Sequence, residues 1–188
     1  MSATAELPEG LVYREGFISL AEEQGLLEAL DGLDFRTVEM RGQVARRTVR
    51  HFGLDYDYES GELVAAEPLP ESMAWLRDRC AALMEREPGE LAQILISCYP
   101  EGAGIGWHRD APMFGSKIAG VSLGASCRMR FQRTIQGERE VADIELAPRS
   151  AYLMSGKARW SWQHSIPAAK VLRYSVTFRT LKRSEVGR

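Results

Sequence analysis

From Leu91 onward the chain is a string of short apolar or alternating runs: LAQILISCY, IGWHRD, IAGVSLG, CRMRFQR, REVADIEL, SAYLMSG and KVLRYSVTFRT. Glycine, proline and charge separate them. Each run suits a strand better than a helix, and so many strands in close succession predict a barrel or a two-sheet sandwich. The segment from Thr134 to Arg139 reads as a hairpin turn. The first half differs. Ser19 with Glu22 three positions on is a capping box, and Leu20, Leu26, Leu27, Leu30 and Leu33 follow at helical spacing, with Gly32 marking the end. Residues 34–52 read as two strands joined by a turn at Arg41-Gly42-Gln43. Pro68 and Pro70 lead into a helix over 71–86, with Trp75, Leu76, Ala82, Leu83 and Met84 as inward candidates.

No linker interrupts this order. The expectation is one mainly β α+β domain over 11–182, helices packed on a β-core, with tails at 1–10 and 183–188. A chain of 188 residues buries enough surface to do without staples. Cys80, Cys98 and Cys127 are odd in number and far apart, so they frame no disulfide network. A reducing cytoplasm fits, with no spanning helix and no secretory leader, and a monomer is expected.

The formal net charge is −2, so any polyanion must be met by a local patch. Arg41, Arg46, Arg47 and Arg50 fall within ten residues free of acid. Asp55, Asp57, Glu59, Glu62, Glu67 and Glu71 follow with no base among them. The acidic run reads as a solvated surface. The arginine cluster reads equally as a solvated face or as a patch that meets a polyanion.

His108-Arg109-Asp110 is the segment with chemistry in it. On a strand, His108 and Asp110 project to one side and Arg109 to the other. An imidazole and a carboxylate need a third donor. The chain holds three histidines, His51, His108 and His164, and His164 lies 54 positions beyond Asp110, just before the last strand. Two histidines and one carboxylate on one face of a metal form the facial triad of non-haem Fe(II) oxygenases. A hydrogen-bonded His–Asp pair is the plainer reading of the bare motif. His51 reads as a packed histidine, and Arg159 as a brace for a loop or a partner for Trp160 or Trp162.

The closing strand alternates completely. Tyr174, Val176 and Phe178 share one face; Arg173, Ser175, Thr177 and Arg179 share the other. A polar face in water is the bland reading. If the polar face looks into a barrel, two guanidiniums are buried and need anions. Arg173 and Arg179 stand about 20 Å apart along a strand, so both would lean inward to hold one dicarboxylate in bidentate fashion. A phenol such as Tyr99 could add a hydrogen bond.

Read in order, Tyr99-Pro100-x-Gly102, Trp107-His108-Arg109-Asp110, Ser122-Leu123-Gly124, Met154-Ser155-Gly156-x-Ala158-Arg159, His164-x-Ile166 and RYSVTFR resemble the AlkB-like 2-oxoglutarate- and Fe(II)-dependent dioxygenases. A weaker likeness runs back through His51-Phe52-Gly53 and Tyr56-x-Tyr58. The resemblance implies a double-stranded β-helix (jelly-roll) core over 91–180 with N-terminal helices packed on it, and a substrate-recognition lid over 34–58. It implies His108, Asp110 and His164 as Fe(II) ligands and the catalytic centre. It implies Arg173 and Arg179 as clamps on 2-oxoglutarate, with Tyr99, Ser97, Ser175 and Thr177 nearby. Ser97 and Ser175 depart from the asparagine common at those positions. The implied chemistry consumes 2-oxoglutarate and O2, yields succinate and CO2, and hydroxylates a C–H bond; on an N-alkyl group an aldehyde is released and the nitrogen is dealkylated.

For substrate, the family acts on alkylated bases in DNA or RNA, on tRNA and in some members on protein. The lid's mixture of base and aromatic makes Tyr56, Tyr58, Arg46, Arg47 and Arg50 substrate-binding candidates, and Arg133 near the hairpin tip joins them. Pro112 stands where the founding bacterial enzyme has a base-reading acid. Repair of alkylated nucleic acid leads, with a protein or a specific tRNA as the alternative substrate. A non-catalytic nucleic-acid-binding module and a zinc hydrolase are the readings of other classes. The hydrolase lacks a general base beside the metal.

Overall fold

The structure, a computed structural model, describes residues 6–40, 43–56 and 62–182, and of Met40, Gln43 and Tyr56 the backbone alone. In chain order the strands are β1 (Leu11–Arg14), β2 (Arg36–Met40), β3 (Gln43–Phe52), β4 (Leu54–Tyr56), β5 (Leu63–Ala65), β6 (Gln93–Tyr99), β7 (Ile105–His108), β8 (Phe114–Leu123), β9 (Cys127–Ile135), β10 (Glu138–Leu146), β11 (Ala151–Met154), β12 (Gln163–Ile166) and β13 (Arg173–Leu181). The helices are α1 (Leu20–Asp31), α2 (Ala74–Met84) and α3 (Gly156–Trp160).

The strands form a seven-stranded sheet in the order β1-β11-β8-β13-β6-β3-β2 and a four-stranded sheet in the order β10-β9-β12-β7; β4 and β5 pair separately. Their pairings are antiparallel. This is the mainly β jelly-roll that the punctuated second half predicts. The seven runs are all strands. β1, β12 and the β4–β5 pair are additional, each only three or four residues long and without a full alternating pattern.

Local chemistry sets the element ends. Ser19 caps α1 reciprocally with Glu22: the Glu22 amide donates to Ser19 Oγ at 3.2 Å and the Ser19 amide to Glu22 Oε2 at 2.8 Å. Gly32 ends the helix as expected. The β9–β10 hairpin closes over Gln136 (φ 52°) and Gly137 (φ 86°), the left-handed pair a two-residue turn requires.

Two cores share the large sheet. On its outer side α1 and α2 bury Leu26, Leu30, Leu76 and Met84 against Ile94, Ile96, Val176 and Phe178. Inside the roll, Ile118, Met129, Phe131, Tyr152 and Trp162 make the second. The helical spacing overstates two positions: Leu20 is 59% exposed at the first turn, and Ala82 faces solvent on α2. The tail expected over 1–10 is shorter where described. The Gly10 carbonyl accepts from the Ser155 amide at 2.9 Å, the Glu9 carbonyl from the Ala158 amide at 2.9 Å, and Lys157 Nζ meets Glu9 Oε2 at 2.6 Å. Among the described residues no helix is long and apolar enough to cross a membrane.

Candidate active site

The concave side of the roll encloses a cavity of about 510 Å3, its open mouth included, and His108, Asp110, His164, Arg173 and Arg179 all line it. Two short antiparallel strands set the histidines side by side. β12 pairs with β7 so that His164 is opposite His108, and the rings lie 4.2 Å apart at their centroids. β7 ends at His108, so Asp110 stands two residues past the strand instead of on it. Its side chain still enters the cavity, because Arg159 holds the backbone that follows. Buried Arg159 donates to the carbonyls of Asp110 (3.2 Å), Ala111 (2.9 Å), Phe114 (3.3 Å) and Gly115 (3.2 Å). Its guanidinium also lies 4.0 Å from the Trp160 ring centroid.

The donor types are those that divalent transition-metal ions take. His108 Nδ1 sits 2.8 Å from the Gly106 carbonyl oxygen, which holds the proton on Nδ1 and leaves Nε2 with its lone pair. Burial lowers both histidines' affinity for protons, His164 down to about 3, so both rings are neutral at pH 7. Burial opposes ionisation of Asp110, but Arg179 and the two imidazoles outweigh it and hold its carboxyl far below the usual range. One oxygen, Oδ1, is bound by Arg179; the other, Oδ2, faces His164 Nε2 at 3.6 Å. Neighbouring donors on an octahedral ion with bonds near 2.1 Å stand about 3 Å apart, so this pair is somewhat open. As they stand, no three such side chains among the described residues are close enough together to hold a metal ion.

The closing strand decides the rest. β13 turns Val176 and Phe178 toward the helices and Arg173, Ser175, Thr177 and Arg179 into the cavity. The two arginines do not lean onto one spot. Arg179 Nη1 donates to Gln93 Oε1 at 2.7 Å while Nη2 binds Asp110. Arg173, toward the other end of the strand, donates from Nη2 to Ser122 Oγ at 2.9 Å and stacks 4.9 Å from the Tyr99 ring centroid. Its Nε and Nη1 are buried with no partner. A buried guanidinium with idle donors on two nitrogens has hydrogen bonds to offer a carboxylate.

Ser97, Tyr99, Ser175 and Thr177 all line the same cavity. Sequence reasoning missed Gln93, Ser122 and Tyr152. Gln93 is the register partner of Arg179 on β6, while Ser122 on β8 is opposite Ser175 and is reached by Arg173 from two residues away, so only strand pairing reveals them. Tyr152 lies over Gly120, where any side-chain carbon would come within 2.4 Å of its ring, and burial raises its phenol well above the usual range.

The arginine cluster does not form one surface. β3 alternates, so Arg47 points into the cavity, 5% exposed, and donates to Ser97 Oγ at 3.0 Å. Arg46 and Arg50 fall on the opposite face. Arg50 is bound to Glu67 and lies over Phe52 at 5.3 Å, while Arg46 is exposed. Arg133 is also engaged, on Glu140 at 2.6 Å and over Trp162 at 4.5 Å. His51 is packed, with Nδ1 3.0 Å from Asp55 Oδ1. Tyr58, Arg41 and the Tyr56 side chain lie outside the described residues.

Residues 10–179 match the model of the 2OG-Fe(II) oxygenase superfamily. The chain belongs to that superfamily, which works with Fe(II), 2-oxoglutarate and O2. Within it the chain is AlkB-like. It is 31% identical over 172 residues to the Mus musculus tRNA (carboxymethyluridine(34)-5-O)-methyltransferase ALKBH8, covering 87% of this chain and 25% of that protein. It is 29% identical over 185 residues to the Arabidopsis thaliana alkylated DNA repair protein ALKBH8 homolog, covering 86% of this chain and 52% of that one. The chain thus spans between a quarter and about half of these curated relatives. The solved structure of OsALKBH1 superposes with a TM-score of 0.73 at 16% identity, over 95% of this chain and 100% of that one, and shows the shared fold.

Proposed function

We propose that this chain is an Fe(II)- and 2-oxoglutarate-dependent dioxygenase that removes alkyl groups from nucleic-acid bases by oxidation. Arg173 carries the reading. Its Nε and Nη1 are buried without a partner, and the side chain lines the same cavity as two neutral imidazoles and an ionised carboxylate, which suits an arginine that meets an anionic ligand. His108 Nε2, Asp110 Oδ2 and His164 are the metal donors. Arg173 with Ser122 grips the distal carboxylate of 2-oxoglutarate. Arg179 keeps Asp110 ionised and turned and would meet the keto-acid end. Tyr99, Ser97, Ser175 and Thr177 complete the pocket wall, and Arg47 closes it from the lid side.

With Fe(II), 2-oxoglutarate and O2 bound, the site supplies C–H hydroxylation with release of succinate and CO2, and an N-bound hydroxyalkyl group then leaves as an aldehyde. Base chemistry needs a single-stranded or extruded nucleotide. The relatives' names favour nucleic acid, one through tRNA and one through alkylated DNA, so a specific tRNA is the second reading. The test is anaerobic loading with Fe(II) and 2-oxoglutarate, then air and a panel of methylated oligonucleotides, following succinate and formaldehyde. Both products are expected with at least one oligonucleotide. Iron bound without any succinate overturns the oxygenase; succinate without formaldehyde rejects the substrates tried.

A further inference from the structure

The outward face of the four-stranded sheet, back to back with the histidines, has no part in the reading above. Alternation puts Trp107 and Arg109 there from β7 and its end, because His108 and Asp110 face inward. Between them and the β9–β10 hairpin lies an open basin of about 730 Å3, adjoining solvent included, lined by Arg109, Gln132, Arg133, Thr134, Arg139, Ser161 and Gln163, with no carboxylate among its lining residues.

The charges along the hairpin are unevenly matched. Toward its base, Arg128 is opposite Glu145 and Arg130 opposite Asp143. Toward the tip, Gln132 is opposite Val141 and Thr134 opposite Arg139, so cross-strand acids run out where the basin begins. Glu138 and Glu140 alternate with Arg139 and fall on the other face, where Glu140 holds Arg133. Arg139 donates to Gln132 Oε1 at 2.6 Å, and Gln132 Nε2 to Gln163 Oε1 at 2.9 Å. This chain of neutral amides orients a guanidinium without neutralising it. Beside the basin, the Trp107 ring has Arg130 5.0 Å and Arg139 6.0 Å from its centroid.

We propose that this face is a binding surface for single-stranded nucleic acid, with Arg109 and Arg139 taking backbone phosphates and Trp107 offering a stacking surface beside them. Donors without acids suit a phosphate, and an aromatic interleaved with arginines favours a polynucleotide over an acidic peptide. The proposal rests on the reading of the substrate as nucleic acid. β7 is an edge strand, so a strand held on this face can round that edge toward the cavity mouth.

The test is fluorescence anisotropy with labelled dT12 across a salt series, alongside succinate release without substrate. The wild type should bind with a steep salt dependence. The R109Q/R139Q variant should bind about 10-fold more weakly, with a slope shallower by about 1.4, and still release succinate as the wild type does. T134E, which adds a carboxylate and removes no arginine, should weaken binding too. R128Q, on the matched end of the same face, should not. Absent wild-type binding, unaltered binding by both basin variants, or equal competition by polyglutamate and poly-dT would each overturn the proposal. Loss of succinate in all proteins with dT12 binding still basin-dependent would sink the oxygenase and leave this surface standing.

Discussion

The two faces of β13 carry opposite chemistry a few ångströms apart. On one, Val176 and Phe178 are wholly buried under α1 and α2. On the other, Arg173, Thr177 and Arg179 are almost as deeply buried and are polar. The apolar face gains stability from leaving water. The polar face loses solvation and recovers it only in part, through Gln93, Ser122 and Asp110. On this strand the outer face supplies apolar burial and the inner face supplies the polar groups of the cavity.

That contrast can be broken at either face. The largest effect should come from Asp110→Ala, which strips Arg179 of its counter-charge and removes a proposed metal donor. Unfolding free energy should fall by about 3–5 kcal/mol in urea titrations, and succinate formation should vanish. Phe178→Ala should cost a similar ~3–5 kcal/mol, yet the folded fraction should keep the wild-type KM for 2-oxoglutarate, since only the outer face is touched. Arg159→Met should loosen the 110–115 segment and weaken Fe(II) binding about 10–100-fold in a chelator competition, with a smaller loss of stability.

Acid should act through the buried rings. Burial lowers His51 to about 4 from its usual 6.5, so the unfolded chain takes up the proton first. Stability present above pH 6.5 should therefore drain away as the pH falls toward 4. His51→Asn should flatten that part of a Tm-against-pH curve. The smallest stability change should come from Arg173→Met. A guanidinium with two idle nitrogens contributes little to folding, so Tm without ligand should be unchanged or raised, while the Tm rise on adding 2-oxoglutarate should disappear. A large loss of stability here would mean that Arg173 is a structural residue.

Much of this was legible in local patterns. The capping box at Ser19, the hairpin turn before Glu138, and the split of β13 into two faces depend on neighbours within a few residues. The convergence of His108, Asp110 and His164 on one cavity was legible from motif order. The fate of the arginines was not. Arg46, Arg47 and Arg50 looked like one patch because charge counts ignore the pleat; a strand sends Arg47 inward and the others out. Arg133 looked free because its partner Glu140 is supplied across the hairpin.

The order of residues by itself determined the seven strand runs of the second half, the capped helix and the types of donor on offer, because those follow from spacing and side-chain chemistry along the backbone. Tertiary structure alone decided that Gln93 and Ser122 answer the two arginines, that Arg159 fixes Asp110, and that Arg173 keeps unspent donors. Each of those depends on register between strands far apart in sequence, and register is set only when the sheets close.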